Sequence, residues 1–213
     1  MGRRQVKGFA ARLWEENSDL AATALSHPFV RGLADGSLPQ QTFAGYVAQD
    51  TFFLESFARA YALALAGSPD RATLDAFADL LSGVREELEL HAAYASQLGV
   101  DLSVVESSAA TLAYTDFLLA TAALGGVGAT CAAMTPCMRL YAHLGAALAA
   151  HTGTDTRYVE WIKTYADPAF ERLAVRLEGL LDLHAPDLRA VRATYRRAME
   201  LEIGFFDAAY RRT

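Results

Sequence analysis

The chain has 213 residues, 53% of them hydrophobic, and a net charge of −6. That is enough chain for one large domain, 1–213, with a sizeable core. The acidic balance excludes a protein that works on phosphate backbones, and no apolar run approaches the ~18 residues of a membrane span. Neither nucleic acid nor a membrane is therefore expected as a partner.

Taken in order, every segment reads as helix. Residues 3–24 carry Phe9, Leu13 and Leu20 on one side, and Ser26-His27-Pro28 turns into a short helix from Phe29 to Ala34. Asp35-Gly36-Ser37 is a stop signal, after which 40–66 forms a long helix ended by Gly67-Ser68-Pro69. Residues 70–97 follow, ended near Gly99, and then 107–123, closed by a Gly125-Gly126 break. An apolar helix runs on to about Ala150 with Pro136 inside it, where a kink is expected because proline lacks the N–H that would bond Ala132. Helices at 155–165, 167–183 and 186–212 complete the chain. No segment has the period-2 alternation of a strand, so the fold class is all-α.

Several polar residues sit on faces that should be apolar. Cys137 directly follows Pro136, and Tyr141 lies about 40° round the helix from it, so thiol and phenol share a face. Cys137 reads either as a small buried hydrophobe or as a reactive thiol. Cys131 points about 240° away, so the two cysteines are not expected to pair. Asp50 shares a stripe with Tyr46 and Phe53 on helix 40–66, either buried with a partner or solvated at the stripe's edge. Tyr114 and Tyr165 read as core or capping aromatics. Glu202 lies between Leu201 and Ile203 with Phe205 on its face; burial there would raise its pKa into the range of a proton shuttle. Glu87 and His91 have i,i+4 metal-ligand spacing, but no second cluster answers them, and they read as part of a solvated acidic face. Arg192, Arg196 and Arg197 likewise read as a solvated basic face. The absence of a hydrophobic segment behind the basic start, and the low cysteine count, fit a cytoplasmic setting.

The stretch HPFVRGLADGSLPQQTFAGYVAQDTFFLESFARA (His27–Ala60) resembles the N-terminal signature of the TenA family, also called thiaminase II or aminopyrimidine aminohydrolase. TPCMRLY resembles the family's PC-x-x-LY motif, WIKTYADPAF its W-I-x-T-Y block and LEIGFFDAAYR its C-terminal E-x-x-F block. The resemblance covers essentially the whole chain. It implies a haem-oxygenase-like helical bundle, assembled as a homotetramer, that needs no cofactor or metal. The implied activity is release of the 5-methylene substituent from 4-amino-2-methylpyrimidines such as thiamin or aminomethylpyrimidine, giving hydroxymethylpyrimidine for thiamin salvage. Carried over motif by motif, Cys137 is the nucleophile, Glu202 the acid/base and Asp50 the anchor of the aminopyrimidine edge. Tyr46, Phe53, Tyr114, Tyr141, Tyr165 and Phe205 line the substrate pocket. Phe53 departs from the tyrosine found in many members, removing a hydroxyl near the thiol. A non-catalytic or regulatory pyrimidine binder, and a di-metal oxidase on the same fold, are the alternatives.

Overall fold

The computed structural model describes residues 7–151 and 156–211, and these form nine α-helices and one short 3₁₀ turn. They are α1 (Phe9–Glu16), α2 (Ser18–Ser26), α3 (Pro28–Asp35), α4 (Gln40–Ala66), α5 (Arg71–Gln97), α6 (Ala109–His151), α7 (Val159–Ala166), α8 (Pro168–His184) and α9 (Arg189–Arg211). The turn, Leu102–Val104, lies between α5 and α6. The all-α expectation holds, and α4, α5, α8 and α9 fall close to their expected bounds.

Local chemistry sets most of the boundaries. The His27 ring accepts the Phe29 N–H, Pro28 occupies the first helical position, and Gly36 ends α3 at φ 76°. Asp70 accepts the Thr73 N–H at 2.8 Å and starts α5; Asp167 accepts the Ala169 N–H at 2.6 Å and starts α8. Each such cap supplies about 1 kcal/mol. The HPF and DGSLP motifs are thus largely turn and cap chemistry, though Phe29 also stacks on Phe206 and packs against Tyr46.

Two expectations need correction. The first helix is broken at Asn17, whose side-chain amide donates to Leu13 O while its own N–H bonds Trp14 O, tightening the last turn. Helix α7 begins at Val159 rather than 155; residues 152–155 lie outside the described residues. The segments expected at 107–123 and 128–150 are two helical halves of α6 that meet at a kink, where Gly126 alone leaves helical dihedrals (φ 72°, ψ −177°), a conformation essentially confined to glycine. The break expected at Gly125-Gly126 is therefore present, and Pro136 lies in the second half with helical dihedrals.

Helix α6 is the axis of the bundle and packs against α4, α7, α8 and α9. By length and composition its stretch Ala109–Ala150 is able to cross a membrane. Here Cys131, Ala132, Ala133, Met134, Leu140 and Leu144 are fully buried against neighbouring helices. On its flank Arg139 forks to both Glu178 oxygens at 2.6 and 2.8 Å and to Glu171, which fastens α8 beside the thiol turn. The basic face of α9 is a set of surface ion pairs, Arg192 with Glu16 and Asp187, and Arg196 with Asp19.

Gly145 is the point of closest approach between α6 and α7, since a Cβ there would lie 2.3 Å from the carbonyl carbon of Tyr165. Backbone has no means of giving way at that distance. Gly145→Ala is expected to destabilise the protein by about 1–3 kcal/mol or more, read from urea denaturation, and to displace Tyr165.

Candidate active site

All nine side chains anticipated from the sequence are buried, and four helices deliver them to one region. Helix α4 supplies Tyr46, Asp50 and Phe53, α6 supplies Tyr114, Cys137 and Tyr141, α7 supplies Tyr165, and α9 supplies Glu202 and Phe205. The fifth helix to join them is α5, through two residues that read from the sequence as a solvated face.

His91 is 1% exposed, and its Nε2 lies 2.7 Å from Asp50 Oδ2. Its other nitrogen, Nδ1, is 3.0 Å from the Glu87 carbonyl oxygen, to which it donates. The imidazole is therefore held at both ends, and Asp50 and the Glu87 backbone raise its pKa to about 9 against the opposing pull of burial. Asp50 is thus the buried, paired carboxylate rather than a solvated edge residue, and its partner comes from α5. The Glu87 side chain accepts the Tyr165 hydroxyl at 2.6 Å. Burial raises the Glu87 pKa, while His91 and Tyr165 oppose that rise. The i,i+4 spacing of Glu87 and His91 was visible in the sequence; what it lacked was the partner on α4.

Asp50, Phe53, Cys137, Tyr141 and Tyr165 open on one small cavity, together with Glu87, Met138 and Phe170. Its volume is about 10 Å³, room for roughly one water. Tyr46, Tyr114, Glu202 and Phe205 do not line it but stand behind those that do. Tyr46 shares its hydroxyl with Tyr141 at 3.2 Å and with the Trp161 indole at 3.4 Å. Phe205 packs against Tyr46 and Phe53, and it borders a separate crevice beside Gln49, Ser108 and Thr111.

Glu202 is 1% exposed, and the Tyr114 hydroxyl donates to its Oε1 at 2.7 Å. Burial lifts its pKa to about 7; the Tyr114 hydroxyl, and after it the neighbouring Cys137 thiol, hold it from rising further. Cys137 is pushed well above the ordinary thiol range, first by burial and then by the negative charges of Glu202, Glu87 and Asp50. It is a thiol, not a ready thiolate, and Glu202 is the carboxylate that acts on it most strongly. Phe53 contacts Tyr114 at 4.7 Å between ring centres and brings no hydroxyl to this group. Cys131, fully buried with a pKa pushed to about 12, lies outside the cavity. Among the described residues no group of three His, Cys, Asp or Glu side chains is placed to hold a metal ion.

This helical frame has counterparts among known proteins. Residues 14–212 match the TENA/THI-4/PQQC family, and the chain belongs to it. It is 35% identical to an aminopyrimidine aminohydrolase of Halalkalibacterium halodurans, with 95% of each chain covered. It is 29% identical to the aminopyrimidine aminohydrolase of Bacillus subtilis, over 98% of this chain and 89% of that one. A TenA homologue from P. horikoshii superposes with a TM-score of 0.89 at 25% identity, covering 96% of this chain and 99% of the other. A haem-oxygenase-like domain from Shewanella denitrificans, 14% identical, superposes at 0.73 over 97% and 94%, and shares the fold.

The Asp50–His91 pair has a pH signature. A histidine pKa raised from 6.5 to about 9 contributes stability that is fully present below the unfolded value and is lost as pH rises through the folded one. The stability advantage of the wild type over the double variant Asp50→Asn/His91→Gln is expected to shrink by ~3 kcal/mol between pH 6 and pH 10. Urea denaturation at each pH measures it, and a constant difference would contradict the pairing.

Proposed function

We propose that this protein is an aminopyrimidine hydrolase that releases the 5-methylene substituent of a 4-amino-2-methylpyrimidine, thiamin or aminomethylpyrimidine, and leaves hydroxymethylpyrimidine. One observation carries the reading: Cys137 and Asp50 open on the same aromatic-walled cavity, with the buried Glu202 carboxylate next to the thiol. The relatives named above support the substrate class.

In this reading Asp50, held by His91, accepts hydrogen bonds from the 4-amino edge of the ring, while Tyr141 and Tyr165, in edge contact with each other, form one wall against it. Cys137 has too high a pKa to be ionised beforehand, so Glu202 takes the thiol proton as sulfur attacks C6 and passes it to N1. The addition leaves the 4-amino group conjugated to C5 as an enamine. Its lone pair expels the substituent from the methylene, forming an exocyclic C5=CH₂. Water adds to that carbon, the C6–S bond breaks, N1 gives up its proton and the ring regains aromaticity. Asp50, as an anion beside the 4-amino group, favours the cationic form that drives expulsion. Tyr114 holds Glu202 in place throughout.

The reading extends to a cytoplasmic homotetramer. Both cysteines are free, as a reducing compartment requires, and the exposed Leu112 and Leu124 on α6 are candidates for burial between subunits. Light scattering in the micromolar range tests the tetramer, and a monomer would count against it.

Three variants test the chemistry. Cys137→Ser is expected to lower turnover by at least a thousandfold with hydroxymethylpyrimidine still bound, because a serine hydroxyl is a far weaker attacker; Cys131→Ser is expected to stay near wild type. Near-normal hydrolysis by folded Cys137→Ser would remove this thiol from the mechanism.

For Glu202 acting as base, kcat/KM is expected to rise with pH and level off above about 7, where the carboxylate is ionised. Glu202→Gln is expected to abolish that limb and lower kcat by about 10²–10⁴. A profile for the variant that still bends near neutrality would assign the limb to another group.

A further inference from the structure

The cavity at Cys137 has a second side. A groove of about 290 Å³ runs along the surface between α5 and α8, and Glu87, Met138 and Phe170 line both it and the cavity. These three side chains are a partition one residue thick. The cavity by itself has room for roughly one water. A pyrimidine bearing a bulky substituent fits only if the partition opens and the substituent extends into the space beyond.

The groove is polarised. Glu86 and Asp167 line it with Glu87, and none of its lining residues is Lys or Arg. Glu87 is the only one of these carboxylates that also faces the cavity. Tyr165 takes its Oε1, and among the described residues its other oxygen carries no hydrogen bond. The ring chemistry points the same way. The 4-amino group and the 5-substituent are neighbours on a pyrimidine. Asp50 and Glu87 are neighbours in the site, one joined to His91 through its carboxylate and the other through its main-chain carbonyl.

We propose that the α5–α8 groove receives the C5 substituent and that Glu87 selects substituents carrying a positive charge, an ammonium or a thiazolium. The inference rests on the pyrimidine reading above and adds to it a leaving-group subsite and the residue that sets its preference. A cation at the partition offsets the cost of burying the Glu87 carboxylate alongside Asp50. The hydroxymethyl product is neutral and has no such attraction, so the same residue favours exchange of product for substrate. Phe170 and Met138 supply the movable apolar part of the wall; both are held on elements fastened by Arg139 and its two glutamates.

The test uses two probes of matched shape, cationic aminomethylpyrimidine and neutral hydroxymethylpyrimidine, titrated calorimetrically into full-length Cys137→Ser protein with and without Glu87→Gln. Glu87→Gln is expected to raise the Kd of aminomethylpyrimidine at least tenfold and that of hydroxymethylpyrimidine less than threefold. Glu87→Asp, which keeps the charge, is expected to retain most of the preference. Equal weakening of both probes, or no change in either, would overturn the subsite while leaving the pyrimidine reading intact. Failure of the parent protein to bind either probe would instead overturn that reading. A second measurement covers the case in which Glu87 variants do not fold. In the wild type, cationic and anionic methanethiosulfonates are compared at Cys137, each rate divided by its rate with free cysteine. The cationic reagent is expected to be favoured at least tenfold; equal rates, or a faster anionic reagent, would overturn the proposal.

Discussion

Burial of charge is the constraint from which the rest of the site follows. Asp50 stands in a core of aromatic rings, where an unpaired carboxylate would cost several kcal/mol or would simply protonate. It stays because His91 approaches to 2.7 Å from the next helix, and His91 in turn is held by the Glu87 carbonyl. Helices α4 and α5 must therefore pack in one register, or both charges are stranded. That register also delivers Glu87 to the edge of the cavity and, through it, orients the Tyr165 hydroxyl.

The second buried carboxylate is handled in the opposite way. Among the described residues Glu202 has no cation beside it; its neighbours are a phenol, which donates to it, and a neutral thiol. Its pKa rises to about 7, whereas the histidine pairing keeps Asp50 matched to a charge. Two carboxylates in one core are thus given different environments, one suited to hold a fixed negative charge and the other to trade a proton near neutrality. Cys137 lies between them and is pushed toward the protonated form by both. A thiol in that position reacts slowly until a base removes its proton.

Helix α6 makes this arrangement possible. Its two halves carry Tyr114 on one side of Gly126 and Cys137 with Tyr141 on the other, and the single non-helical residue lets one long element serve two walls of the site. Gly145 then allows α7 to lie backbone to backbone against it, which places Tyr165 across from Tyr141 with ring centres 4.8 Å apart. Arg139 and the two glutamates fasten α8 on the remaining side. The aromatic walls are held from outside by main chain and ion pairs, so the cavity is a product of packing rather than of any one strained residue.

The helical class, most helix ends and the odd residues on apolar faces could be read from the sequence, because caps, glycines, prolines and 3.6-residue spacing act over a single turn. Asp50, Cys137 and Glu202 stood out for the same reason: each breaks a local pattern. Pro136 was legible too, as a proline inside an apolar helix beside the thiol, and it keeps helical dihedrals there. The role of Glu87 and His91 was not decided locally. Their spacing says only that they share a helix face, and an acidic helix with one histidine looks solvated until α4 is laid against it. Burial is a property of what packs on a residue, not of the residue itself. For that reason the tertiary structure alone decided that this histidine carries the charge on which Asp50 depends, and that the glutamate one turn before it stands at the mouth of the site.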